Sequence, residues 1–170
     1  GLLSLGVKVG DRVATLAWNG YRHFELYYAI SGIGAVCHTI NPRLSAEQMI
    51  YIINHAGDSI ICVDLTFIPI LEAIKDKVPS SMKYIIMTDR DHMPDTILEN
   101  VLCYEEVLEK GDSNIEWPEF PEETASSLCY TSGTTGNPKG SLYTHRSTVL
   151  HSLTAGISFP ETMRAGVRIL

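Results

Sequence analysis

The sequence predicts an α/β fold, a mostly parallel β-sheet flanked by helices. Three observations carry this reading. Short apolar runs rich in strand formers alternate with segments of helical periodicity, the connections between them are short, and helix start and stop signals fall where the pattern changes. Alternating strands and helices of this kind build parallel sheets covered on their faces by helices.

Taken in order, residues 1–6 (GLLSLG) read as the last turn of a helix stopped by glycine. Residues 12–18 (RVATLAW) are a strand, Asn19-Gly20 a turn, and residues 21–33 a helix. Residues 35–40 are a second strand, ended at Asn41-Pro42 because proline cannot donate to a ladder and restricts the residue before it. Ser45 with Gln48 three positions on is a capping-box signature that opens a helix through about His55, and Met49, Ile52, Ile53 and Ala56 recur at helical spacing. Residues 59–63 (SIICV) are a buried strand, 67–78 a helix, 84–87 (YIIM) a strand and 101–110 a helix. Residues 116–124 (EWPEFPEET), with two prolines and four glutamates, read as an extended, solvated surface connection. Residues 127–130 and 141–144 are strands, about 146–155 a helix, and 167–170 an apolar run of strand character without a turn signal after it. Both ends thus read as cut within an element, so the chain is expected to be part of a larger domain.

Composition sets limits. The chain has 170 residues, 45% of them apolar, with a formal charge of −7. That is an ordinary globular composition, and it argues against a surface built to neutralise nucleic-acid phosphates, which needs clustered Lys and Arg. The four cysteines, Cys37, Cys62, Cys103 and Cys129, contain no C-x-x-C pair. They form neither a zinc spacing nor a dense disulfide framework, and a reducing compartment, the cytoplasm, is the expectation. The longest apolar stretch, from Phe24 to Cys37, is interrupted by Glu25 and is shorter than the ~20 residues a transmembrane helix needs.

Chemistry concentrates in one segment. Thr131-Ser132-Gly133-Thr134-Thr135-Gly136-Asn137-Pro138-Lys139-Gly140 packs three glycines, four hydroxyls and one lysine between two strands. Glycines let backbone N–H groups turn toward one anion, small hydroxyls add donors without blocking its approach, and Lys139 supplies a cation. Each hydrogen bond to a charged partner contributes about 1.5–3 kcal/mol, so converging donors can hold a polyphosphate despite the negative total. The spacing is neither G-x-x-x-x-G-K-[ST] nor G-x-G-x-x-G. A ligand-free Gly/Thr-rich hairpin is the bland alternative.

The stretch YTSGTTGNPKG at Tyr130 to Gly140 resembles the signature of the adenylate-forming (AMP-binding) enzymes, which include acyl-CoA synthetases, luciferases and the adenylation domains of peptide synthetases. GDRVATLAWNGYRHFELYYAISGIGAVCHTINPRLS (Gly10 to Ser45) and SLYTHRSTVLHSL (Ser141 to Leu153) are similar to the corresponding parts of medium- and long-chain fatty acyl-CoA synthetases. The resemblance covers essentially the whole chain. It implies that residues 1–170 are part of the large N-terminal AMP-binding domain, truncated at both ends and without the C-terminal domain.

The implied activity is a two-step ligation. A fatty acid carboxylate attacks the α-phosphate of Mg-ATP to give acyl-AMP and pyrophosphate, and the CoA thiolate then displaces AMP. Carried over from the family, Thr131, Ser132, Gly133, Thr134, Thr135, Gly136 and Lys139 contact the β- and γ-phosphates. Lys139 is the catalytic candidate and Thr131 a magnesium neighbour, since a hard cation bridging phosphates accepts hydroxyl oxygen. ATP, Mg2+ and CoA are the implied cofactors and co-substrates, and a homodimer the implied assembly. The family's adenine pocket, ribose-binding aspartate, magnesium glutamate and late lysine all lie beyond Leu170 in the family pattern, so the 170 residues alone are expected not to activate carboxylates. Two other readings stand beside this one: a non-catalytic nucleotide-binding or interaction module, and an aryl- or amino-acid-adenylating enzyme.

Several residues receive plainer readings. Ser141 stands where the family commonly has an apolar β-branched residue, which puts the packing beneath the loop in doubt. His145 and Arg146 are assigned a structural or capping role, and His38 that of a satisfied core histidine. Cys129 is a small core hydrophobe, and Tyr27, Tyr28, Met49 and Tyr51 are helix-face packing.

Overall fold

The computed structural model describes residues 1–131 and 136–161. The element order begins with a 3-10 turn at Leu3–Leu5, followed by β1 (Arg12–Leu16), α1 (Tyr21–Gly32), β2 (Val36–Thr39), α2 (Ala46–Ala56) and β3 (Ile60–Val63). It continues with α3 (Ile68–Ile74), β4 (Lys83–Ile86), β5 (Val101–Cys103), α4 (Tyr104–Glu109), β6 (Ala125–Thr131), β7 (Lys139–Thr144) and α5 (His145–Ser158). Short 3-10 turns flank α3 at Leu65–Phe67 and Lys75–Lys77, and another lies at Arg90–His92.

The strands form one seven-stranded sheet in the order β5-β4-β3-β1-β2-β6-β7. All pairings are parallel except β6 with β7. Period-two alternation along these strands divides the core between two faces. On one face, Ala14, Leu16, Ile61, Val63, Tyr84 and Ile86 pack against Met49, Ile52 and Ile53 of α2 and Ile68, Leu71 and Ile74 of α3. On the other, Val13, Cys37, Ile60, Cys62 and Ile85 pack against Leu26 and Ile30 of α1 and Tyr104 and Val107 of α4. Both faces of the central strands are therefore dry, which is why β3 reads as the uninterrupted apolar run IICV.

Local chemistry sets the helix ends. Ser45 caps α2 through a reciprocal capping box with Gln48, and Gly57 ends the helix at φ 66°, a left-handed conformation that glycine adopts without steric cost. The Arg12 guanidinium reinforces that end, donating from Nε to the Ala56 carbonyl at 2.7 Å. A charge at the C-terminus of a helix complements its exposed carbonyls.

Two expectations need correction. Residues 101–110 are not one helix: Val101–Cys103 pairs in parallel with Tyr84–Ile86, and only Tyr104–Glu109 is helical. A three-residue strand has too little periodicity to announce itself, and its existence depends on its neighbour in the sheet. Residues 116–124 are the extended surface connection expected, with the Trp117 ring against Gly32 and the Phe120 ring against Gly34 and His145. Tyr27 and Tyr28 are largely exposed rather than packed, in ring pairs with His23 and Phe24. The strand expected at 167–170 lies outside the described residues.

At the β7 edge the packing thins. No residue of α5 is buried, and Leu142, Val149, Leu150, Leu153 and Ile157 are all exposed.

The four cysteines are free thiols, three of them buried. Burial pushes Cys37 up to about 12 from 9.0 and raises Cys62 further. A raised folded-state value means a contribution to stability that is complete below the unfolded pKa and is lost as pH rises through the folded one. Chemical denaturation should therefore show stability falling above about pH 9, and a thiol-reactive dye at neutral pH should label only half-buried Cys129 in the native chain and all four thiols in denaturant.

Candidate functional site

The conspicuous segment joins the only antiparallel pair among the described strands. Register places Tyr130 opposite Gly140 and Thr131 opposite Lys139. Because β6 runs parallel to β2, with His38 beside Leu128, its carboxyl end lies at the carboxyl edge of the parallel sheet. That edge is where open α/β sheets bind ligands. The loop is thus delivered to the right edge by strand direction alone.

Thr131, Gly136 and Lys139 can be placed individually. Thr131 and Lys139 are exposed cross-strand partners, so their side chains start from Cα atoms about 4.5–5.5 Å apart at the mouth of the loop. Lys139 forms no ion pair with a carboxylate among the described residues, which leaves its ammonium available to an anion. Gly136 has φ 90° with open space around it, a backbone conformation that L side chains rarely adopt. Pro138 is buried and anchors the return of the loop. Ser132, Gly133, Thr134 and Thr135 lie outside the described residues.

The base of the loop is held from the helical side. A Cβ on Gly140 would meet Leu128 Cδ1 at 3.1 Å and Tyr130 Cζ at 3.3 Å, so the Tyr130 ring lies across the glycine backbone. The Tyr130 hydroxyl in turn hydrogen-bonds His55 Nδ1 on α2 at 2.7 Å, with Tyr51 stacked on the His55 ring. Burial and the nearby Asp58 raise the Tyr130 hydroxyl above its ordinary value, so the phenol stays neutral. Sequence reasoning assigned no function to His55 or Asp58. Contacts spanning 75 residues leave no local spacing to find.

The remaining candidates resolve plainly. Ser141 is exposed, so the doubt about packing beneath the loop falls away. Arg146 pairs with Glu122, and the His145 and Arg146 amides donate to the Thr124 and Glu122 carbonyls, which makes both residues structural. His38 is indeed in the core, but only half satisfied: Nδ1 meets Asp58 Oδ2 at 2.7 Å, while Nε2 and Asp58 Oδ1 have no partner among the described residues. No group of three or more His, Cys, Asp or Glu side chains able to hold a metal occurs among the described residues. A cavity of about 670 Å³ is lined by residues 1–4 and 110–117 with Ala29, Ile33 and Leu108, none of them in the loop. The chemistry of residues 131–140, not this cavity, marks the functional site.

Gly140→Val should destabilise the chain by about 1–3 kcal/mol, the range for overpacking, by forcing the Tyr130 ring aside. Urea denaturation of the variant checks this.

The family model described as "AMP-binding enzyme" matches residues 1–167. The chain is 54% identical over 151 residues to a 3-methylmercaptopropionyl-CoA ligase of Ruegeria lacuscaerulensis, covering 89% of this chain and 28% of that protein. It is 49% identical over 164 residues to a medium-chain-fatty-acid–CoA ligase of Ectopseudomonas oleovorans, covering 96% and 30%. Among solved structures, the anthranilate CoA ligase AuaEII in complex with anthranoyl-AMP superposes with a TM-score of 0.82 at 25% identity, over 92% of this chain and 29% of that one. The chain therefore spans about three tenths of the length of the proteins it matches. With a loop of phosphate-binding composition at the carboxyl edge of a parallel sheet, and a family match over nearly its whole length, the chain belongs to the AMP-binding enzymes.

Proposed function

We propose that this chain is the phosphate-gripping part of the N-terminal domain of an ATP-dependent acyl-CoA ligase that converts a fatty acid to acyl-AMP and then to acyl-CoA. The observation that carries the reading is the placement of Thr131 and Lys139, side by side at the mouth of a glycine-rich turn, with no carboxylate of the described residues paired to the lysine. In this reading the Lys139 ammonium and the loop hydroxyls of Thr131, Ser132, Thr134 and Thr135 hold the β- and γ-phosphates, and Gly133 and Gly136 turn backbone N–H groups to the same anion. The loop does no covalent chemistry. It holds the triphosphate so that pyrophosphate leaves in line, and it stabilises the charge that develops there.

Magnesium arrives with the nucleotide as part of the substrate. The exposed Thr131 hydroxyl suits a hard cation's preference for oxygen. CoA belongs to the second half-reaction. Cytoplasmic residence is supported by the four unpaired thiols, and no helix among the described residues is long and apolar enough to cross a membrane. Homodimerisation is carried into this reading from the family resemblance alone.

The acid is the open variable. Likeness to the Ectopseudomonas ligase supports a medium-chain fatty acid, and likeness to the Ruegeria ligase supports a short thioether acid as a second reading. The test is acyl-CoA formation by a complete ligase containing this chain, with medium- and long-chain fatty acids, 3-methylmercaptopropionate and aryl and amino acids offered in parallel. Turnover of an aliphatic acid is the expected result, and turnover confined to aryl or amino acids overturns the assignment. Lys139→Ala should raise the KM for Mg-ATP about 10- to 100-fold, the loss of one or two charge-assisted hydrogen bonds. An unchanged KM overturns the assigned role of Lys139.

A further inference from the structure

The base of the phosphate loop is tied to a single turn of chain at the end of α2. Within four residues, that turn presents His55, Gly57 and Asp58. His55 Nδ1 holds the Tyr130 hydroxyl at 2.7 Å, and Asp58 Oδ2 holds His38 Nδ1 at 2.7 Å. The His38 and Tyr130 rings face each other at 5.2 Å between centroids, tilted by 52°. The two contacts therefore close a loop of side chains through α2, β2 and β6, and Tyr130, the residue before Thr131, is its outermost member.

Such a network does not follow from stability alone. The His38 and Asp58 side chains are both 0% exposed, and each retains a polar atom without a partner among the described residues. Buried unpaired polar atoms are costly, and removing one partner of a buried ion pair costs more than replacing both by apolar groups. Elsewhere on the same face the sheet is filled by Ala14, Leu16, Ile61 and Val63, so an apolar solution was available to the fold. Arg12 steadies the arrangement from β1: its Nη2 donates to the Gly57 carbonyl at 3.3 Å, and while burial raises the Asp58 carboxyl above its ordinary value, His38 and the Arg12 charge work against that rise.

The outcome of this expense is geometric. With its hydroxyl fixed by His55 and its ring against His38, the Tyr130 side chain has one position, and the ring in that position lies on Gly140. Both ends of the loop are thereby registered at once, since Tyr130 precedes Thr131 and Gly140 follows Lys139. We propose that Tyr130 and His55, backed by the Asp58–His38 pair, are positioning residues that fix the separation of Thr131 and Lys139 for the nucleotide triphosphate, and this rests on the phosphate-loop reading above.

Steady-state kinetics on a complete ligase containing this chain tests it, with KM for Mg-ATP, KM for the acid, kcat and thermal midpoint measured for each variant. Tyr130→Phe and His55→Ala should each raise the KM for Mg-ATP about three- to tenfold, the loss of one hydrogen bond's orienting effect. The KM for the acid should stay within about twofold and the thermal midpoint within about 2 °C, the range of an ordinary surface substitution. His55→Gln, which can still meet the hydroxyl, should restore the wild-type KM. Asp58→Asn keeps the shape of the buried pair and should give the same selective rise. A thermal midpoint that falls while the KM for Mg-ATP does not move would make the network structural and overturn the proposal. Lys139→Ala serves as the control: if it weakens Mg-ATP while Tyr130→Phe and His55→Ala do not, the proposal fails alone. If Lys139→Ala has no effect either, the phosphate-loop reading fails with it.

Discussion

The parallel pairing of β6 with β2 is the constraint on which the rest of the structure depends. Cys37, His38 and Thr39 lie beside Ser127, Leu128 and Cys129, joined across about 90 residues of chain. A parallel partner fixes direction as well as place, so the loop emerges at the sheet edge where the strands' carboxyl ends gather. An antiparallel β6 at the same position would deliver the same ten residues to the opposite edge, against the 3-10 turn and the apolar cavity near residues 110–117.

The second consequence concerns rigidity. β6 is supported on one side by a sheet dry on both faces, and on the other only by β7, which is an exposed edge strand. Side-chain anchors hold the base of the loop on both strands. Pro138 is buried, the Tyr130 ring covers Gly140, and the Thr144 capping box begins α5 immediately after the strand, so β7 is pinned at both ends although its surface faces water.

Much of this was legible in the sequence, and what was not has a common cause. The capping box at Ser45 and Gln48, the glycine stop at Gly57 and the uninterrupted apolar run of β3 are local signals, and local physics decides them. Strand β5 was missed because three residues carry no period, and Val101–Cys103 is a strand only because Tyr84–Ile86 lies beside it. Residues 116–124 are the extended surface connection their composition announces, and only the ring contacts of Trp117 with Gly32 and Phe120 with Gly34 went unseen, because they depend on glycines far away in the chain. For the site, the segment itself was evident, whereas its support was not. Nothing in the spacing of His38, His55, Asp58 and Tyr130 suggests that the fold gathers them.

Charge gives the last step. A chain of net −7 repels polyphosphate at long range, yet that repulsion is screened beyond about 8–10 Å at ordinary ionic strength, while donors within the loop act at contact. What decides binding is whether a positive group at the site is already neutralised, as positive groups elsewhere in the chain are. Arg22, Arg90 and Arg146 are each paired with a glutamate, and Arg12 is spent on the carbonyls that end α2. Lys139 has no such carboxylate among the described residues. Its ammonium is therefore worth more to an incoming anion than the sum of charges suggests, because no existing ion pair must be broken to use it.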